Sequence, residues 1–92
     1  MSKLSYRAPA LDKGLDIIEL LALTGEGLTQ AQIAIHLQKS VNEIYRMLNT
    51  LKERGYIEFE EKTDLYKLSF KLLNLSANFD PTKTLLEKAT PI

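Results

Sequence analysis

No cysteine occurs in the 92 residues, and His36 is the only histidine. The first absence excludes a disulfide scaffold, thiol catalysis and thiolate metal sites. The second excludes a multi-histidine zinc cluster. No apolar run approaches the roughly 18–20 residues that a membrane span needs. The opening Met1-Ser2-Lys3-Leu4-Ser5 lacks the apolar core of a signal peptide, so a cytoplasmic protein is expected. The four glycines are scattered and build no phosphate-cradling loop. Excess charge is missing too, because 12 basic and 12 acidic side chains cancel. Length adds a limit of its own. A domain this small hides only about 60–65% of the surface of its unfolded chain, so a deep catalytic cavity would compete with the core for apolar side chains.

What remains, 45% hydrophobic and 26% charged, is the composition of an ordinary globule and not of a disordered tail. The zero charge hides a mild pattern. Residues 28–57 carry Lys39, Arg46, Lys52 and Arg54 against Glu43 and Glu53, and residues 58–69 carry four acids against two lysines.

Residues 1–9 read as a loose arm ending in Pro9. From Leu11 the apolar positions Leu11, Leu15, Ile18, Leu21 and Ala22 recur at helical spacing, and Ile17, Leu20 and Leu23 widen the stripe. It is broad enough to serve a core on one side and a second surface on the other. Gly14 inside it costs about 1 kcal/mol relative to Ala, which points to close packing there. Gly25-Glu26-Gly27 stops the helix. Thr29-Gln30-Ala31-Gln32 and Ser40-Val41-Asn42-Glu43 each have the form of a capping box. The first opens a short helix with Ile33, Ala34 and Leu37 inward. The second opens a helix with Ile44, Met47, Leu48 and Leu51 on one stripe, running to a cap at Gly55. Two capped helices with a brief connection form a helix-turn-helix. Ile57 and Phe59 then alternate with Glu58 and Glu60, and Tyr66 and Leu68 with Lys67 and Ser69, around a turn at Lys62-Thr63-Asp64. That pattern predicts a β-hairpin. Residues 70–77 suggest a further helix, and Asp80-Pro81 starts a fresh one. The predicted fold is mainly α with a small β-hairpin: a winged helix-turn-helix.

No group of residues supports an enzyme. His36 sits mid-helix beside no paired carboxylate. Glu58 and Glu60 share one face of a strand while Glu61 points elsewhere, which describes a solvated wing and not a metal or acid–base cluster. No catalytic residue, metal or cofactor is expected. The second helix of the pair is more informative. Its apolar stripe turns Val41, Asn42, Glu43, Tyr45, Arg46, Asn49 and Lys52 outward. Early positions of a recognition helix meet base edges. Arg46 can grip guanine at two points, and Asn42 or Asn49 can do so with adenine. Tyr45 can donate to a phosphate or pack on a thymine methyl. Ser40 and the open amides behind it can hold a phosphate. Glu43 works against phosphate contact but can accept from a cytosine amino group.

The run Ala10-Leu11-Asp12-Lys13-Gly14-Leu15-Asp16-Ile17-Ile18-Glu19-Leu20-Leu21 resembles the first helix of the IclR family of bacterial transcription regulators. So do Leu28-Thr29 with Gln32-Ile33-Ala34, and Ile44-Tyr45-Arg46-Met47-Leu48-Asn49-Thr50-Leu51 continuing to Gly55-Tyr56-Ile57. Tyr66-Lys67-Leu68 is similar to the family's second wing strand and Leu72-Leu73-Asn74-Leu75 to the helix after it. The resemblance implies an operator-reading domain at residues 10–77 that binds double-stranded DNA, with a recognition helix at about 41–54. It also implies a flexible arm at 1–9, and at 78–92 a linker helix towards an absent C-terminal domain that binds a small-molecule effector. It implies a homodimer on a palindromic operator, paired through residues 11–23 and the linker. The DNA-binding residues expected are Ser40, Asn42, Tyr45, Arg46, Asn49 and Lys52, with Lys62 and Lys67 from the wing. Two departures stand out. Val41-Asn42-Glu43 replaces the basic residue and Ser-Thr common at the start of the recognition helix. Asp64-Leu65 replaces a glycine and a basic residue at the wing tip, which predicts a weak grip on phosphate. Zero charge and an acidic wing also fit an alternative, a winged-helix module that meets protein.

Overall fold

The computed structural model describes residues 7–79. Helices α1 (Pro9–Thr24), α2 (Gln30–Leu37) and α3 (Val41–Glu53) are followed by strands β1 (Ile57–Glu60) and β2 (Leu65–Leu68) and by α4 (Lys71–Asn78). This is a winged helix-turn-helix. Residues 80–92 of the linker expected at 78–92, and the first six residues of the arm, lie outside the described residues.

The first three helices and both strands contribute to one core, and α4 buries no residue in it. Ile17, Ile33, Ile44, Leu48 and Ile57 are fully buried, with Leu21, Leu28, Ala34 and Tyr66 around them. On α3 the four-residue step from Ile44 to Leu48, flanked by half-buried Met47 and Leu51, turns one stripe inward. On α1 the core takes Ile17 and Leu21. Leu11 and Leu23, counted in the same stripe by spacing, are 62% and 85% exposed. The broad stripe is therefore divided between the core and an outer surface.

Backbone chemistry sets the boundaries. Pro9 lies in the first turn of α1, where a missing N–H is harmless, so the helix begins at the residue expected to end the arm. Both capping boxes form. Thr29 Oγ1 accepts from the Gln32 amide at 3.2 Å while Gln32 Oε1 accepts from the Thr29 amide at 2.9 Å. Ser40 and Glu43 make the same exchange at 3.1 and 3.2 Å. At the far end of α3, Gly55 with φ of 86° completes a Schellman motif. Its amide donates to Lys52 O at 3.0 Å, and the Tyr56 amide donates to Leu51 O at 2.9 Å. Asn78 belongs to α4, one residue beyond the boundary expected for the domain.

The hairpin pairs Ile57 with Leu68, Glu58 with Lys67, Phe59 with Tyr66 and Glu60 with Leu65. Leu65 is thus a half-buried strand residue and not the wing tip, because the turn closes at Asp64. Asp64 holds φ of 61° and donates its amide to Glu60 O at 2.8 Å. An aspartate tolerates this left-handed geometry better than most residues do, which is how the turn closes without glycine. A third segment joins the sheet. Leu28 and Tyr66 exchange backbone hydrogen bonds at 3.0 and 2.7 Å, tying the entry to α2 to the wing. Lys71 Nζ donates to Arg54 O at 2.6 Å and sits 4.6 Å from the centre of the Tyr56 ring, which pins the start of α4 to the end of α3.

The glycines divide by cause. A Cβ on Gly14 would meet nothing within 4 Å, so packing within this chain does not require that glycine. Gly27 has φ of 94°, and a Cβ there would stand 2.8 Å from Lys67 Cγ and 3.0 Å from Tyr66 O. Gly27→Ala should therefore lower stability by about 1–3 kcal/mol, whereas Gly14→Ala should raise it by about 1 kcal/mol through helix propensity. Urea-unfolding midpoints of the two variants check the opposite signs.

Candidate nucleic-acid interface

Burial of Ile44 and Leu48 decides what α3 presents to solvent. Asn42, Tyr45, Arg46 and Asn49 recur at three- and four-residue steps on the opposite side, and Lys52 continues the row. Asn42, Tyr45, Arg46 and Lys52 are exposed and Asn49 is half-buried. Among the described residues no hydrogen bond engages the side chain of Asn42, Tyr45, Arg46 or Asn49; the Thr50 hydroxyl donates only to the backbone carbonyl of Arg46. Their donors and acceptors are open to a ligand. Ser40 differs, because its hydroxyl already accepts from the Glu43 amide and contacts Glu43 Oε1 at 3.3 Å.

Glu43 departs from the outward set. Its Oε2 accepts from Lys13 Nζ of α1 at 2.7 Å, while Oε1 serves the cap. Hydrogen bonding to Lys13 and to the Ser40 amide, with the charge of Lys13, holds the Glu43 carboxyl down to about 2. It is a fixed and neutralised anion, turned back towards α1.

An open groove of about 520 Å³ runs between the start of α2, the middle of α3 and the inner face of the wing. It brings together Tyr45, Asn49 and Lys52 of the expected residues. Asn42, Arg46, Lys62 and Lys67 are not in its lining. Lys67 lies on the outer side of the hairpin opposite Glu58, and exposed Lys62 sits in the turn. The groove's floor is not evident from residue spacing. Phe59 and Tyr66, paired across the hairpin, meet at a 44° tilt with ring centres 4.7 Å apart, and Lys52 Nζ stands 5.7 Å from the Phe59 ring centre. Burial, with smaller contributions from Tyr45 and Asp64, pushes the Tyr66 phenol up. The alternation of Phe59 and Tyr66 was visible in the sequence. That it faces α3 is seen only in the fold, where Lys52 of α3 stands over Phe59 of β1. The role of Gln30 is likewise not evident from spacing: its Nε2 donates to Val41 O at 3.1 Å and ties the starts of α2 and α3 together.

Among the described residues no three His, Asp or Glu side chains converge to hold a metal ion. No helix there is long and apolar enough to cross a membrane.

The IclR helix-turn-helix domain matches residues 10–61 of the chain. The chain is 32% identical over 83 residues to the HTH-type transcriptional regulator BhcR of Paracoccus denitrificans (strain Pd 1222), covering 90% of itself and 29% of that protein. The fold is similar to that of the IclR transcriptional regulator from Alicyclobacillus acidocaldarius, with a TM-score of 0.74 at 23% identity over 78% of this chain and 29% of that one. The chain thus spans under a third of each relative's length.

The bridge between α1 and α3 gives this face a pH dependence. The Glu43 carboxyl is depressed in the fold from its ordinary 4.5 to about 2. Its stabilising contribution is therefore complete above about pH 4.5 and is lost as pH falls towards 2. Thermal melts between pH 5 and 2 should show a decline that is smaller in Glu43→Gln; identical declines would contradict the assignment.

Proposed function

The chain belongs to the IclR helix-turn-helix family, and from that premise we propose that it reads a specific sequence of double-stranded DNA for a transcription regulator, with α3 in the major groove. The observation that carries this reading is the row of unengaged side chains, Asn42, Tyr45, Arg46 and Asn49, opposite the buried Ile44 and Leu48. Arg46 reads guanine and the two asparagines supply amides suited to adenine. Lys52 and Tyr45 meet phosphates at the groove edge. Ser40 acts by fixing the start of the helix, so that the amides of Val41 and Asn42 face the backbone. Lys62 and Lys67 contribute a lesser contact from the wing. The role is one of binding, not catalysis, and its place is the cytoplasm.

The working form is a homodimer. The outer flank of α1 and the side of α4 border an apolar groove of about 550 Å³, lined by Leu11, Leu15, Ile18, Leu72 and Leu75 among others. Leu11 and Leu15 remain exposed in the single chain, and an apolar surface of this kind favours association. Gly14 lies in the same lining and leaves room for close approach. Two copies would set their recognition helices one helical turn apart, about 34 Å, on a palindromic operator. A small-molecule effector would act through the further part of such a regulator.

An amide-shift NMR titration with a short mixed-sequence duplex at low salt tests the reading. Shifts centred on residues 40–50 that disappear as salt rises support it. An intact fold with no shifts would favour a protein-binding winged helix. Against a selected operator, Arg46→Ala should cost about 1–3 kcal/mol with little loss on random DNA. Equal losses on both duplexes would make Arg46 a phosphate contact.

A further inference from the structure

We infer that Lys13, on α1 and away from the reading face, sets DNA affinity by neutralising Glu43 at the head of the recognition helix. This rests on the DNA-reading role of α3. The carboxylate occupies the first turn of α3, the part of a recognition helix that lies nearest to base edges and phosphates. An acid there opposes a polyanion, and the capping box prevents it from swinging away: Glu43 Oε1 is held by the Ser40 amide at 3.2 Å and the Ser40 hydroxyl at 3.3 Å. Only Oε2 is left for a cation, and Lys13 Nζ takes it at 2.7 Å.

The cation comes from thirty residues away, on a helix joined to α3 by core packing. Its side chain is 24% exposed against 43% for Glu43, so Lys13 is the more sheltered partner. Lys13 also lines a surface cleft with Arg7, Asp12, Asp16 and Lys39, and Glu43 is not in its lining. Arg7 is bound in a two-point contact to Asp12 at 2.8 Å, and among the described residues no hydrogen bond joins Lys39 to Glu43. Lys13 is therefore the cation that cancels Glu43. Its removal would leave an uncompensated negative charge within a screening length of the DNA backbone. Lys13 is a positioning and shielding residue, one that needs no contact with DNA of its own.

The test compares wild type, Lys13→Met, Glu43→Gln and the double variant by fluorescence anisotropy on a mixed-sequence duplex at about 50 mM salt. Circular dichroism verifies each fold. Methionine keeps the packed stem of Lys13, and glutamine still serves a capping box. Lys13→Met should weaken binding about three- to tenfold, and the deficit should shrink as salt rises. Glu43→Gln should bind at least as tightly as wild type. The double variant, with the local charge balance of wild type, should return to within about twofold of it. Lys13→Arg should also retain affinity. A Lys13→Met loss that persists in the double variant would mean that Lys13 touches phosphate itself and would overturn the proposal. So would a loss in Glu43→Gln, which makes Glu43 a base contact. If Lys13→Met does not fold, Glu43→Gln decides alone. Wild type that binds no duplex would overturn the reading of α3 before any variant is compared.

Discussion

The face that α3 shows to solvent is set by the burial of Ile44 and Leu48. Each fully buried aliphatic side chain contributes about 1.5–3 kcal/mol, whereas exposed ion pairs contribute at most about 1 kcal/mol. Apolar contact therefore decides which side of α3 turns inward, and polar contacts act on what is left undecided. The two capping boxes fix where α2 and α3 begin. The Gln30 to Val41 bond fixes one start against the other. With the roll of α3 set by its core stripe and its start set by Ser40, the outward row from Asn42 to Asn49 has one available direction.

Local chemistry was legible in the sequence wherever a few adjacent residues determine the outcome. Thr29 with Gln32 and Ser40 with Glu43 announce helix starts because the hydrogen-bonding partners are three residues apart. Gly55 announces a helix end because few other residues tolerate φ of 86°. Contacts between distant segments were not legible. Nothing in the neighbourhood of Glu43 announces Lys13, so spacing placed the carboxylate outward with its neighbours on the helix. The joining of Leu28 to Tyr66 has no local sign either. Nor has the placing of Lys52 over Phe59, without which Phe59 and Tyr66 read only as hairpin core and not as the floor of a groove. Leu65 was misplaced at the wing tip because Asp64 performs in the turn what a glycine usually does.

Zero net charge loses its apparent conflict with DNA reading once the acids are located. Glu43 is cancelled by Lys13. Asp12 is paired with Arg7, whose hydrogen-bonded guanidinium holds that carboxyl below its usual range. Glu58 lies opposite Lys67 across the hairpin. The wing still carries Glu60, Glu61 and Asp64 near its turn, which restricts close approach to phosphate there and shifts the task of recognition to α3. A nearly neutral protein can present a locally permissive face because screening makes charges beyond about 10 Å count for little at moderate salt.

That economy of cations has a consequence for assembly. Each neutralised phosphate releases counterions and adds to affinity, and the proposed reading face offers few basic side chains, chiefly Arg46 and Lys52, with Lys39 exposed in the turn before α3. One copy would bind with little electrostatic support. Joining two copies makes the second contact intramolecular and can multiply affinity by about a hundredfold or more without adding a residue to either face. In the proposed dimer, the apolar flank of α1 and α4 would be the physical complement of a weakly charged recognition helix. Association through that flank would supply the affinity that the surface charge does not, and would make the spacing between two helices part of what is recognised.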